Sequence, residues 1–84
     1  MERKKQYRGI SQRLAIHYLE GLGGEQVSED VVEGEDWQAS FSSEKVEIGP
    51  TIELTEITVA FEGEKEVLDP LIERFGRKAM RAGG

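Results

Sequence analysis

Apolar residues recur at the spacing of an α-helix near the start of the chain. Ser11 suits the N-cap position, and Gly23-Gly24 supplies the stop, with one of these glycines expected in the left-handed C′ position. Ile16 points away from the apolar face, which predicts an exposed side chain or a contact with a second surface. The preceding residues, 6–10, predict a short extended lead-in. The apolar face itself consists of Leu14, Ala15, Tyr18, Leu19 and Leu22.

A second amphipathic helix is predicted from about Glu64 to about Arg81. Carboxylates lie near its start and cations near its end, as the helix dipole favours. Pro70 lies either within the first turns or directly after an Asp69 cap. Gly76 destabilises a helix by about 1 kcal/mol relative to Ala, so we expect another element to approach closely there. The apolar stripe consists of Leu68, Leu71, Ile72, Phe75 and Ala79.

Between these helices, apolar and polar residues alternate as they do in half-buried strands. Val27 begins a weak strand that Val31-Val32 continue, and the EGED segment at 33–36 predicts a turn. Gly49-Pro50 predicts a second turn. The strand between the two turns carries its apolar residues at Trp37, Ala39, Phe41, Val46 and Ile48.

The last predicted strand changes phase along its length. Ile52 and Leu54 alternate on one face, whereas the next apolar residues alternate on the other: Ile57, Val59 and Phe61. This change predicts a β-bulge or bend near Thr55-Glu56. The order of elements predicts a single α+β domain over residues 1–84. It is a two-layer sandwich, in which both helices pack on one face of an antiparallel meander of about three to four strands.

Composition narrows the classes of function. The chain of 84 residues has no cysteine and one histidine. Disulfides, thiolate zinc sites, cysteine nucleophiles and multi-histidine metal sites are therefore excluded. No apolar stretch approaches the roughly 18 residues of a membrane span, and MERKKQ does not resemble a secretory signal. We therefore expect a cytoplasmic protein without a membrane-bound state.

Charge is distributed unevenly within the net charge of -6. Residues 1–13 carry five cations against one carboxylate, residues 74–84 carry four cations, and residues 14–73 carry two cations against sixteen carboxylates. The favoured interpretation is neutralisation of the basic ends by the acidic body. Such a body repels phosphates, so we expect nucleic-acid binding only as a less favoured alternative that would use both basic ends.

The basic end of the second helix is the candidate partner-binding site. Its cations follow the spacing i, i+3, i+4 and i+7, which places them on one stripe beside the apolar face. Such a stripe suits a phosphate, an acidic peptide or a nucleic-acid backbone, although a solvated helix end has the same pattern and is the favoured interpretation. The stripe consists of Arg74, Arg77, Lys78 and Arg81.

The chain ends in Gly83-Gly84, the way ubiquitin-like sulfur carriers and modifiers end. These two residues are the candidate conjugation site. A helix that reaches Arg81 leaves three residues beyond it, with a reach of about 10 Å. Glycine is also the ordinary residue after a helix, so the tail is compatible with both interpretations.

Candidate catalytic groups are sparse. His17 lies at the edge of an apolar face, where histidine is usually packed or solvated, and the serines lie in no nucleophile motif. The turn carboxylates Glu29-Asp30 and Glu35-Asp36 lack the ligand spacing of a calcium loop. The glycines of GLGGE follow a helix instead of opening one, so they do not form a phosphate loop. We expect no enzymatic activity, no metal and no cofactor.

Four segments together resemble a known family: YRGISQRLAIHYLEGLGG, VEGEDWQASF, TEITVAFEG and LIERFGRKAMRAGG. The chain is similar from about Tyr7 to Gly84 to the molybdopterin cofactor biosynthesis MoaD-related C-terminal domain family, which is mainly archaeal. Some members carry this domain behind a ubiquitin-like sulfur-carrier domain. The resemblance therefore implies a link to molybdopterin synthesis or sulfur transfer. It implies no catalytic residues.

Three functional hypotheses follow. The first is an accessory module that binds a sulfur-carrier or cofactor-synthesis protein through the basic stripe. The second is a carrier activated at Gly84, and the third is the nucleic-acid binder. We expect a monomer or a weak homodimer.

Overall fold

A computed structural model describes residues 1–83 as two helices and five strands. The elements are β1 (Glu2–Arg8), α1 (Gln12–Gly21), β2 (Glu25–Ser28), β3 (Val31–Glu33), β4 (Trp37–Glu47), β5 (Glu53–Gly63) and α2 (Lys65–Gly83). The strands form one antiparallel sheet in the order β1-β5-β4-β3-β2. The predicted α+β class is confirmed, and the sheet has five strands because the N-terminal segment joins it.

Both helices pack on one face of this sheet, as predicted. The buried apolar side chains form one cluster, to which α1 contributes Ala15, Ile16 and Leu19, and α2 contributes Leu68, Leu71, Phe75 and Ala79. The sheet contributes Val32, Ala39, Phe41, Ile57, Val59 and Phe61. Burial of these side chains is the main stabilising term of so short a chain.

Helix α1 begins and ends at the predicted signals. The Ser11 hydroxyl accepts a hydrogen bond from the backbone N–H of Leu14 at 3.1 Å. Gly23 follows the C-cap with φ +104°, a conformation that glycine adopts at little cost. Of the two alternatives for Ile16, contact with a second surface is confirmed, because its side chain is 6% exposed and belongs to the core cluster. The helix contacts β2 and β3 as well as α2, so its buried face is wider than the apolar stripe.

Helix α2 begins at Lys65, so Pro70 lies within its first turns, as one of the two alternatives predicts, and Asp69 is not its cap. At this position proline removes one intrahelical hydrogen bond, which the buried stripe offsets. The expectation for Gly76 is wrong. Apart from the helix's own backbone, no described atom lies within 4 Å of a Cβ built at Gly76. This glycine instead borders an open cleft between α2 and β1.

Strand β1 replaces the short lead-in that the sequence predicts. It pairs with β5 over its whole length, from Glu2 opposite Glu62 to Arg8 opposite Glu56. The segment is almost entirely polar, so its strand conformation depends on this pairing. Tyr7 is the exception, since its ring packs beneath α2.

The segment predicted as one weak strand consists of two. β2 and β3 pair antiparallel across the turn at 29–30. Val27 is 52% exposed on the edge strand, whereas Val32 is fully buried. The register shifts between Gln26 and Ser28, so the described bulge lies in β2.

The bulge predicted near Thr55-Glu56 does not form. β4 and β5 pair in unbroken register from Trp37 opposite Gly63 to Glu47 opposite Glu53. The hairpin instead extends beyond the helices. Its apolar residues switch faces there, leaving Ile48, Ile52 and Leu54 at 52%, 56% and 36% exposure.

Candidate partner-binding site

Helix α2 is fixed on the sheet by aromatic contacts. The ring centroid of Phe75 lies 4.9 Å from Tyr7 and 6.0 Å from Phe61, both in edge-on geometry. Arg3 of β1 and Asp69 of α2 form an ion pair. Burial raises the pKa of Tyr7 to about 12, so its phenol is neutral at physiological pH. The basic stripe therefore lies on a firmly held helix.

The four cations of the stripe differ in their surroundings. Arg77 Nη2 lies 2.6 Å from Glu73 Oε1, one helical turn away on the exposed surface. Lys78 Nζ lies 5.9 Å from the centroid of the Tyr18 ring on α1. Arg74 and Arg81 are exposed, and within residues 1–83 neither takes part in an ion pair. These two guanidinium groups are available to a partner.

The two basic ends of the chain are neighbours in space. β1 lies at the sheet edge beside α2, and the Arg3–Asp69 ion pair joins them. Arg8 Nε also lies 2.7 Å from Glu56 Oε2, and Glu56 is 6% exposed. Each basic end is thus partly neutralised by carboxylates of the body.

The predicted conjugation site begins inside α2. The helix continues to Gly83, and Gly84 lies outside the described residues. The prediction of three residues beyond the helix is therefore wrong, because α2 includes two of them, Ala82 and Gly83. Gly83 has low helix propensity, so the last turn of α2 is its least stable part.

The weaker candidates lie apart from the stripe. His17 is exposed on α1, with its ring centroid 6.5 Å from that of Tyr18. Glu29-Asp30 and Glu35-Asp36 lie in separate turns, before β3 and before β4. Within residues 1–83, no group of three or more histidine, cysteine, aspartate or glutamate side chains is placed to hold a metal ion.

Sequence reasoning missed the contribution of β1 to this side of the molecule. The N-terminal cations were counted as charge, but nothing local showed that they lie on a strand. The one available signal was Tyr7, an aromatic residue within a polar segment.

Comparison with known families adds to this picture. Residues 3–84 match the family model of the archaeal MoaD-like proteins. The chain belongs to this family. The resemblance seen in the sequence is thereby confirmed, and a search of the curated proteins found no match. In this archaeal MoaD-like protein, neither helix within the described residues is long and apolar enough to cross a membrane.

Proposed function

We propose that this protein is a cytoplasmic, non-enzymatic binding module of sulfur-carrier or molybdopterin metabolism. It docks an acidic partner protein through the stripe Arg74, Arg77, Lys78 and Arg81. The observation that carries the proposal is the presence of two unengaged guanidinium groups, Arg74 and Arg81, on a helix held firmly by its core contacts. Guanidinium groups form paired hydrogen bonds with carboxylates, and a held helix loses little entropy on binding. The MoaD-like family supports the metabolic assignment.

The test reverses the two available charges. The variant Arg74→Glu/Arg81→Glu leaves the Arg77–Glu73 pair and the Lys78–Tyr18 contact in place. The matched control is Lys45→Glu/Lys65→Glu, which reverses two exposed cations elsewhere. Proteins captured from the source cell would be identified by mass spectrometry, purified, and titrated calorimetrically.

We expect the stripe variant to bind the purified partner at least about tenfold more weakly, a difference of about 1.4 kcal/mol. The control should bind like the unmodified protein. Equal binding by all three proteins, with all three folded, contradicts docking through the stripe.

A second candidate function is a carrier activated at its C-terminus. The terminal Gly83-Gly84 and the MoaD-like family favour it. In this reaction the Gly84 carboxylate attacks ATP to form an acyl-adenylate, releasing pyrophosphate. Sulfide then displaces AMP and leaves a thiocarboxylate, so no oxidant or reductant is needed.

Intact-mass measurement separates the two functions. The protein would be incubated with ATP, sulfide and source-cell lysate, alongside a known carrier as positive control. A sulfur-for-oxygen mass shift that disappears on deletion of Gly83-Gly84 supports the carrier. An unmodified terminus beside a modified positive control rejects the carrier.

A further inference from the structure

Strand β1 has an unpaired edge. The backbone N–H of Gly9 donates to Thr55 O, and that of Gly63 donates to Met1 O. Odd-numbered residues of β1 therefore exchange hydrogen bonds with β5, because such pairs alternate along an antiparallel ladder. The even-numbered residues point their N–H and C=O groups away from β5, where the described chain has no further strand. They are Glu2, Lys4, Gln6 and Arg8.

An apolar cleft of about 590 Å³ lies beside this edge, between β1 and α2. Its apolar lining consists of Tyr7, Ile10, Ile72, Gly76, Ala79 and Met80. Met80 is 76% exposed and lines the cleft, so it adds apolar surface that a bound segment would cover. Gly76 keeps the wall of the cleft free of a side chain, although no described atom approaches closely enough to require glycine there.

The charge of β1 selects the kind of strand that fits. β1 carries four cations and one carboxylate, and within residues 1–83 Lys4 and Lys5 form no ion pair. Antiparallel pairing of β1 with β1 of a second copy would place Lys5 opposite Lys5 in the fully overlapping register. In the registers shifted by two residues, it would place Lys4 opposite Lys4 or Arg8. Like charges at such positions destabilise a ladder. A strand with carboxylates on the face away from the helices would place them beside Lys4, which lies on that face.

We propose that the protein binds an extended, acidic segment of its partner as a sixth strand along β1. Main-chain hydrogen bonds to the even-numbered residues would provide affinity, as in other strand additions, and the cleft would provide specificity. This inference rests on the proposed function, because it specifies the chemistry of the bound partner and adds a second contact surface beside the stripe.

The two faces of the sheet set the pattern of the bound segment. Odd-numbered β1 residues lie on the helix face, since they pair with the core residues Ile57, Val59 and Phe61. Residues of the bound strand on that face enter the cleft and are apolar. Residues on the opposite face lie beside Lys4, which forms no ion pair within residues 1–83, and are acidic. The segment therefore alternates between apolar and acidic residues.

A synthetic peptide tests this inference. The probe is a fluorescently labelled, end-capped peptide of alternating glutamate and valine, about as long as β1, and binding is followed by fluorescence anisotropy. The first control is an alternating lysine-valine peptide. The second is the acidic peptide N-methylated at every other residue, made in two versions, one methylated at the odd-numbered and one at the even-numbered positions. N-methylation removes the donors that a ladder requires.

Two variants locate the site. Gly76→Leu places a side chain in the cleft, and Gly21→Leu is the matched control, because a Cβ at Gly21 also meets no atom within 4 Å. Gln6→Pro removes one outward N–H from the edge without removing a hydrogen bond to β5. Thermal unfolding by circular dichroism verifies that each variant is folded.

We expect the acidic peptide to bind the unmodified protein and Gly21→Leu equally. Its affinity should be at least about tenfold weaker for Gly76→Leu and for Gln6→Pro, and should fall as salt rises from about 0.05 M to about 0.5 M. Neither the lysine peptide nor the N-methylated version in the ladder phase should bind. The inference is overturned if the folded Gly76→Leu and Gln6→Pro variants bind as tightly as the unmodified protein, or if the acidic peptide does not bind at all.

The two proposals fail in different ways. If the peptide does not bind but Arg74→Glu/Arg81→Glu still weakens partner binding, the stripe is correct and strand addition is wrong. If the peptide binds but the stripe variant behaves like its control, strand addition is correct and docking through the stripe is wrong.

Discussion

Replacement of Gly76 by alanine should stabilise the protein. Gly76 lies in the interior of α2, where glycine costs about 1 kcal/mol relative to Ala because its backbone loses more entropy on folding. No described atom beyond the helix's own backbone lies within 4 Å of the added Cβ, so no steric cost opposes this gain. We expect the free energy of unfolding to rise by about 1 kcal/mol and the Tm by about 4–8 °C.

The assay is urea unfolding followed by circular dichroism, with thermal unfolding as a second measurement. Gly24→Ala provides the contrast, since its Cβ would lie 2.6 Å from Val32 Cγ1 and 2.9 Å from Leu19 O. That variant should be less stable than the unmodified protein. If Gly76→Ala is less stable than the unmodified protein, and its unfolding free energy has the same slope against urea concentration, the cleft beside α2 is not open at Gly76. The gain in stability would also indicate that glycine is retained there for a reason other than folding.

Three further predictions test the core, the buried phenol and the faces of the hairpin. Phe75→Ala removes a fully buried ring and should lower the free energy of unfolding by about 3–5 kcal/mol, measured in urea; a loss below about 1 kcal/mol would contradict the packing described. The free energy of unfolding should fall as pH rises from about 10 through 12, because the Tyr7 phenol ionises first in the unfolded chain and in the folded protein only near its raised pKa. This loss should be smaller in Tyr7→Phe. An equal loss in the variant would argue against burial of Tyr7 as the cause. Ile52→Thr should change the free energy of unfolding by less than about 0.5 kcal/mol, whereas Ile57→Thr should be strongly destabilising. Similar effects at the two sites would mean that both side chains are buried on one face, as the predicted bulge requires.

The sequence predicts the two helices correctly because the residues that determine them are close together in the chain. The Ser11 cap, the Gly23 stop and the two apolar stripes depend on residues three or four positions apart. The spacing of the basic stripe follows from the same periodicity. Its surroundings do not, since neighbouring elements determine that Lys78 lies over Tyr18 while Arg81 is exposed.

The errors concern features that depend on distant residues. Ile52 and Leu54 alternate as strand residues do. The helices do not cover this end of the hairpin, so neither face of the strand is buried there. The change of phase therefore predicts a bulge, since alternation alone cannot show where the core ends. For Ile16 the sequence leaves exposure and contact with a second surface open, because a stripe indicates one buried side of a helix and α1 has two.

The amino-acid sequence by itself determined the two helices, the cap and stop of α1, the strand-forming middle and the basic stripe, because each arises from contacts within a few residues. Only the tertiary structure decided that the polar N-terminus is a strand. β1 has no apolar alternation of its own and is held by the hydrogen-bonding edge of β5, about fifty residues away in the chain. The same pairing brings the two basic ends together and creates the cleft between β1 and α2.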